Sequence, residues 1–258
     1  MAAEAENHCA INVALYGAAP RWTMTERGRR HVHRDRQNFQ VGRSALRWDG
    51  RELLITLDEL AVPLPRRVRG TLRVRPQGLC TYAAGLDEAG AHRWGPIAPC
   101  AQVEVAMDEP SLRWHGHAYL DSNEGDEPIA GPFAHWDWMR ATLPDGRTAV
   151  VYDVRLKASS SPRLIAAAFS ADGKVETFDP PPRHALPATG WRIHRHVRSS
   201  MPPLVQRSLE DTPFYARSLL QVGLCGESVT AVHETLSIPR LDSALTRLML
   251  PWRMPRRG

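Results

Sequence analysis

The segment His92–Glu127 opens with H-R-W-G-P-I-A-P (His92–Pro99), passes through an alternating run, and closes with W-H-G-H-A-Y-L-D-S-N-E-G-D-E (Trp114–Glu127). Two short bursts stand out: His92 with Trp94, and Tyr119 with Asp121. Within each burst the residues are two positions apart. Side chains at i and i+2 of an extended strand share a face. On neighbouring strands, the bursts would bring together an acid, an imidazole and two aromatic rings. Such a set has neither metal-ligand spacing nor a nucleophile–base pair. It suits proton transfer beside an apolar, electron-poor centre. The spacing equally suits two ordinary strands, with Trp94 and Tyr119 in a core while His92 and Asp121 make turn hydrogen bonds.

The pattern extends outward from this segment. Ala10–Tyr16, Leu53–Leu57, Val68–Val74, Val103–Met107, Ala149–Leu156, Leu164–Phe169 and Val229–Leu236 are short apolar runs that read as strands. Asp49-Gly50, Asp145-Gly146 and Asp172-Gly173 read as hairpin turns. The 21 prolines cluster at Val62–Pro65, Pro180–Pro182 and Met201–Pro203, marking loops. Helical periodicity is confined to Leu204–Glu210 and Leu241–Leu250. Many short strands at regular spacing predict an all-β protein of barrel or sandwich type. A second aromatic opening, His135-Trp136-Asp137-Trp138, precedes the Asp145-Gly146 turn and looks like the start of a new barrel. The boundary is expected near Gly131, giving domains 1–130 and 131–258.

Composition narrows the function classes. The 258 residues are 43% hydrophobic, enough for a sizeable core. The net charge of +5 is carried almost wholly by arginine, and no nucleic-acid-binding pattern accompanies it, so no nucleic-acid partner is expected. No run of eighteen apolar residues predicts a transmembrane helix. The acidic opening M-A-A-E-A-E-N-H-C has no apolar core of a signal peptide. Cys9, Cys80, Cys100 and Cys225 lack C-x-x-C spacing, so reduced thiols and no structural zinc are expected. P-loop, dinucleotide-fingerprint and G-x-S-x-G patterns are missing from the sequence. His115 and His117 share a strand face in W-H-G-H but have no third ligand at a recognisable spacing, so no metal is expected. His31, His33, His194 and His196 sit among arginines and read as solvated basic surface. The tail L-M-L-P-W-R-M-P-R-R-G reads as a final strand with a frayed basic end, or as a segment that touches a membrane surface.

Several blocks together resemble the carotenoid 1,2-hydratase family, also called hydroxyneurosporene synthase. They are N-H-C-A-I-N-V-A-L-Y-G (Asn7–Gly17), R-W-T-M-T-E-R-G (Arg21–Gly28), H-R-W-G-P-I-A-P, A-Y-L-D-S-N-E-G (Ala118–Gly125), L-E-D-T-P-F-Y-A-R-S (Leu209–Ser218), V-H-E-T-L (Val232–Leu236) and L-M-L-P-W-R-M-P-R (Leu248–Arg256). The resemblance implies two lipocalin-like β-barrels and a cofactor-free hydro-lyase of photosynthetic bacteria. Its reaction would add water across the terminal C1–C2 double bond of acyclic carotenoids such as neurosporene and lycopene. It implies catalytic roles for His92, Trp94, Tyr119 and Asp121. It also implies a place in the cytoplasm, peripheral to the inner or photosynthetic membrane. Family members carry sequence ahead of the N-H-C block. Either the start lies further upstream or the first barrel lacks its opening strand.

Hydration of such an alkene puts a proton on C2 and water on C1, through a tertiary cation. Asp121 is the expected acid, kept protonated by burial. Trp94 and Tyr119 are expected to offer ring faces to the cation. His92 is expected to hydrogen-bond the carboxyl or handle the water. Trp136, Trp138 and Tyr215 are expected to line the polyene channel. Asp211, Arg217 and the His233-Glu234 pair would shape the cavity mouth or buttress the barrels. The alternatives are a lipocalin-like carrier of polyenes or lipids without chemistry, and an acid-type polyene cyclase or isomerase on the same fold.

Overall fold

The computed structural model describes residues 4–159 and 161–257. The chain is mostly β-strand and forms two compact units. One contains the chain up to Pro76, Ala101–Ala118 and the segment from Arg247 onward; the other contains Gln77–Cys100 and Tyr119–Thr246. The single cut expected near Gly131 is not where they divide. Gly131 lies within the second unit, in the turn between strands Leu112–Gly125 and Phe133–Thr142. Strands His92–Glu109 and Leu112–Gly125 are long enough to serve both units, so the chain changes unit in mid-strand.

In the first unit, strands Val32–Arg34, Asn38–Val41, Ser44–Trp48, Leu53–Leu60 and Arg67–Pro76 pair in sequence order, and residues 101–109 continue the antiparallel sheet. Its buried Glu59 is satisfied by Arg27 at 2.8 Å and by the Ser44 hydroxyl at 2.7 Å. A buried charge needs such pairing to be tolerated.

The second unit is built on a seven-stranded antiparallel sheet. Its order is Val175–Thr177, Arg163–Phe169, Thr148–Leu156, Phe133–Thr142, Glu227–Ser237, Tyr215–Leu224 and Leu204–Asp211. The expected Asp145-Gly146 hairpin is present: Gly146 has φ 87°, and the Asp145 carboxylate accepts the Arg147 amide at 3.0 Å. That left-handed conformation is the one glycine adopts without steric cost.

The period of two sorts this sheet into two faces. Met139, Ala141, Val151, Ala166, Leu220, Val222 and Ala231 pack on one face. Phe133, Trp136, Trp138, Val150, Tyr152, Ile165, Phe169 and Leu236 pack on the other, where Trp94, Tyr82 and Tyr119 join them.

Leu204–Glu210, expected as a helix, belongs to an edge strand, Leu204–Asp211. Its pairing shifts register at Val205/Arg207 and again at Ser208/Glu210, which destroys the two-residue period that identifies a strand. The expected helix at Leu241–Leu250 is found as Ala244–Arg253, preceded by the short helix Ile238–Leu241. The tail is therefore mainly helical. Only Arg256–Arg257 forms a strand, parallel to Glu26–Arg27.

Candidate active site

Three of the four expected catalytic residues meet on one oxygen atom. Trp94 donates its indole N–H to Asp121 Oδ2 at 2.7 Å, and the Tyr119 hydroxyl donates to the same oxygen at 3.1 Å. Tyr119 and Asp121 share a strand face, as their spacing predicts. Burial pushes the Asp121 carboxyl above its ordinary range, while the bonds from Trp94 and Tyr119 and the charge of Arg140 act against that rise. The Tyr119 phenol is raised as well, by burial and then by the Asp121 charge. Hydrogen bonds to a charged acceptor favour the charged form. The carboxyl is therefore poised between burial that favours its neutral form and two donors that favour its negative charge.

Trp94 is completely buried, and the rings of Tyr82, Tyr152 and Phe169 stand edge-on to it with centroids at 6.2, 5.8 and 6.3 Å. Its role at Asp121 is that of an N–H donor. The expectation that it offers a free ring face is corrected. Tyr119 stacks obliquely with Trp138 at 5.7 Å, and the Arg140 guanidinium lies 5.1 Å from the Tyr119 ring centre. A cavity of about 200 Å³ adjoins Trp94, with Tyr82, Ile97, Ser122 and Glu124 among its walls.

His92 stands apart from Asp121. Its Nδ1 lies 2.6 Å from Asp87 Oδ2 and its Nε2 lies 2.9 Å from the Glu127 carbonyl oxygen. Both ring nitrogens are thus engaged, and neither is left for Asp121 or a water. The expected bond from His92 to the Asp121 carboxyl is thus replaced by an Asp87 pair. Burial acts to raise the Asp87 carboxyl, but the His92 hydrogen bond and the Ala91 amide hold it below the usual range. The His92 ring packs edge-on to Phe133 at 4.7 Å. Gly125, four residues beyond Asp121, makes room for it: a Cβ there would fall 2.7 Å from His92 Cδ2.

The expected channel residues divide. Trp138 lies in the Asp121 group through Tyr119, and its buried Nε1 has no hydrogen-bond partner among the described residues. Trp136 packs between Phe133 and Tyr152, at 5.8 and 6.3 Å. Tyr215 belongs to a second polar group. The Arg217 guanidinium lies 5.6 Å from its ring centre and donates through Nε to Glu234 at 3.0 Å. His117 pairs with Gln102 at 3.2 Å on an exposed strand segment. His196 is half-buried within 4.0 Å of Asp137, which corrects its reading as solvated surface.

Arg140 escaped the reading of the sequence. Its signal was present in W-D-W-M-R, where Trp136, Trp138 and Arg140 keep the two-residue period. Glu234 pairs in register with Trp138 on the next strand, which puts it on the same face.

The comparisons with known proteins agree with this architecture. A crystal structure of a candidate AttH protein from Nitrosomonas europaea superposes with a TM-score of 0.58, covering 84% of this chain and 76% of that one. The two are 12% identical, so the likeness is one of fold. The fold and site define a mostly β protein that holds a half-buried acid among aromatic rings. At the level of sequence, residues 2–258 match the family model for carotenoid hydratase CrtC, and the chain belongs to that family. It is 58% identical over 99% of its length to an acyclic carotenoid 1,2-hydratase of Rubrivivax gelatinosus and 50% identical over 98% to one of Thiocapsa roseopersicina. It spans 64% and 63% of those two relatives. An acyclic carotenoid 1,2-hydratase of Cereibacter sphaeroides is 35% identical, and the match covers 91% of that protein.

Proposed function

We propose that this protein hydrates the terminal C1–C2 double bond of acyclic carotenoids, with Asp121 as the proton donor. The observation that carries the proposal is the convergence of Trp94 and Tyr119 on one oxygen of a half-buried carboxyl. Asp121 Oδ1 delivers its proton to C2, and the electron pair of the double bond forms the new C–H bond. The tertiary cation left at C1 is captured by water, whose surplus proton passes to solvent and restores the acid. Burial shifts Asp121 towards its protonated form. The donors on Oδ2 stabilise the carboxylate as it forms, so its raised pKa does not leave it a feeble acid. Tyr119 and Trp138 supply electron-rich surface for the cation, worth about 2 kcal/mol when water is excluded. General acid catalysis accounts for about 10²–10⁴-fold, and positioning and cation stabilisation supply the rest. On this reading each unit is a lipocalin-like barrel, and the polyene lies against the face carrying Trp136, Trp138 and Tyr215.

A polyene is delivered from a bilayer, and the C-terminal helix offers a means of docking there. Leu245, Leu248 and Trp252 are 54, 72 and 74% exposed on Ala244–Arg253, at spacings that share one helical face. Arg247, Arg253 and Arg257 lie in or just beyond the same helix. No helix among the described residues is long and apolar enough to cross a membrane. We read this helix as lying in the headgroup plane of an anionic membrane.

Expression in a lycopene-accumulating bacterium, with mass analysis of the extracted carotenoids, tests the activity. A gain of one water per modified end is expected. Unmodified lycopene alongside folded, soluble protein would exclude it.

A further inference from the structure

The face of the sheet opposite Asp121 carries a second polar site. Strand Phe133–Thr142 sends Trp136, Trp138 and Arg140 to one side and Asp137 and Met139 to the other. On the Asp137 side, a cavity of about 320 Å³ is lined by Arg155, Arg183, Arg240, His135, His194 and His196.

The charges on this wall are poorly balanced. Arg155 has no carboxylate partner among the described residues. Arg240 donates to three backbone carbonyls, those of Trp191, Pro213 and Arg192. Arg183 reaches carboxylates only at long range, Asp153 at 3.8 Å and Asp137 at 3.9 Å. Both acids have closer partners: Asp137 accepts from the Thr235 hydroxyl at 2.6 Å, and Asp153 from Arg198 Nε at 3.0 Å. Among the described residues Arg183 Nε and His196 Nδ1 are buried without hydrogen-bond partners, while His135 Nε2 lies 3.3 Å from Asp137 Oδ2. Burial, and then the neighbouring Arg155 charge, push the Arg183 guanidinium below its ordinary pKa. Half-buried guanidiniums facing one another repel unless an anion lies between them.

We propose that this cavity is a binding site for a phosphate group, formed by Arg155, Arg183 and Arg240. Guanidiniums from three different elements line one space; Arg240 keeps its Nε and one Nη2 hydrogen beside its three carbonyl bonds, and such a cluster suits the several oxygens of a phosphate. A water occupies about 30 Å³ in the liquid, so a cavity of about 320 Å³ has room for a phosphate with an organic substituent. A soluble phosphate ester and a lipid headgroup present the same group to the arginines.

The test is calorimetric titration of the full chain with pyrophosphate at low salt, beside co-sedimentation with phosphatidylcholine vesicles with and without phosphatidic acid. Arg155→Gln is the informative variant, because Arg155 holds no carboxylate in the fold. Arg207→Gln, at an exposed position on the Leu204–Asp211 strand, removes the same charge elsewhere. Saturable pyrophosphate binding that weakens at least about tenfold in Arg155→Gln and less than about twofold in Arg207→Gln supports the site, with a soluble ester as source. The same contrast seen only with phosphatidic acid vesicles supports the site with a lipid source. Binding that falls equally in both variants is mere surface charge and overturns the proposal. So does the lack of binding to either probe.

Discussion

Trp94 and Asp121 are joined by a 2.7 Å hydrogen bond from an indole that is wholly removed from solvent. The bond ties the first strand burst of the sequence to the second. It also fixes which oxygen of the acid is engaged, since Tyr119 donates to the same Oδ2. The proposed chemistry rests on that asymmetry between the two carboxyl oxygens.

Asp121→Asn keeps both hydrogen bonds to the side-chain oxygen and removes the acidic proton. Hydration per folded molecule is expected to fall by at least about 10²–10⁴-fold. In D₂O the wild-type product should carry deuterium at C2, detected by mass and by NMR. A folded variant with near-normal turnover would remove Asp121 from the mechanism.

Trp94→Phe retains an aromatic ring but loses the N–H. If the indole works as a donor, this change should cost about as much as Trp94→Leu, through loss of a charge-assisted bond worth about 1.5–3 kcal/mol. An electron-rich ring face would instead make Phe much milder than Leu. Tyr119→Phe should behave like Trp94→Phe. In both, the alkaline limb of the rate profile should move to higher pH, because each lost donor leaves the carboxyl less acidic. Rate–pH profiles of the three proteins check this.

The raised Asp121 also affects stability. Its folded value lies above its unfolded value of about 3.9, so the folded chain holds a proton that the unfolded chain has lost. The stabilisation tied to that proton is complete below about pH 3.9 and disappears as pH rises through the folded value. Asp121→Asn does not titrate. Its stability relative to the wild type should therefore increase as pH is raised above about 4 and level off once the folded value is passed, in urea melts at each pH. A constant difference would mean that Asp121 is not held protonated.

His92 is expected to act through position. Replacing it with Gln strands the Asp87 carboxylate, whose side chain is 5% exposed, and breaking a buried pair costs about 3–5 kcal/mol. The Asp87→Asn/His92→Gln double variant should recover part of that loss, with a coupling of about 1 kcal/mol or more in a double-mutant cycle. Purely additive losses would show that the pair does not act as one.

The helix surface gives a separate test. Leu248→Glu with Trp252→Ser should abolish sedimentation with anionic vesicles, and wild-type binding should weaken as salt screens the arginines. Turnover of detergent-dispersed substrate should be unchanged. Vesicle binding that survives both changes would place the membrane contact elsewhere.

What the sequence revealed follows from which signals are local. The Tyr119/Asp121 and Trp136/Trp138 pairs, the Asp-Gly turns and most strands rest on a period of two or on glycine's freedom, and all were legible. The bulged edge strand Leu204–Asp211 was not, because two register shifts scramble its period. Nor was the pairing of His92 with Asp87, five residues away across a turn, which depends on how that turn folds back. The indole of Trp94 was placed on the correct strand face, but whether it offers its ring or its N–H is set by packing from Tyr82, Tyr152 and Phe169. The division of the chain falls inside two strands, where a change of unit does not interrupt the extended backbone.

Strand Phe133–Thr142 sets a rule for how this protein can change. Its even positions, Trp136, Trp138 and Arg140, lie on the Asp121 side, and its odd positions, Asp137, Met139 and Ala141, on the other. Substitutions can therefore retune one face while the other is inherited intact. Loss of a single codon within the strand would exchange the two sets at a stroke. In a saturation library across 133–142, point changes should be tolerated in an alternating pattern, and one-residue deletions almost nowhere.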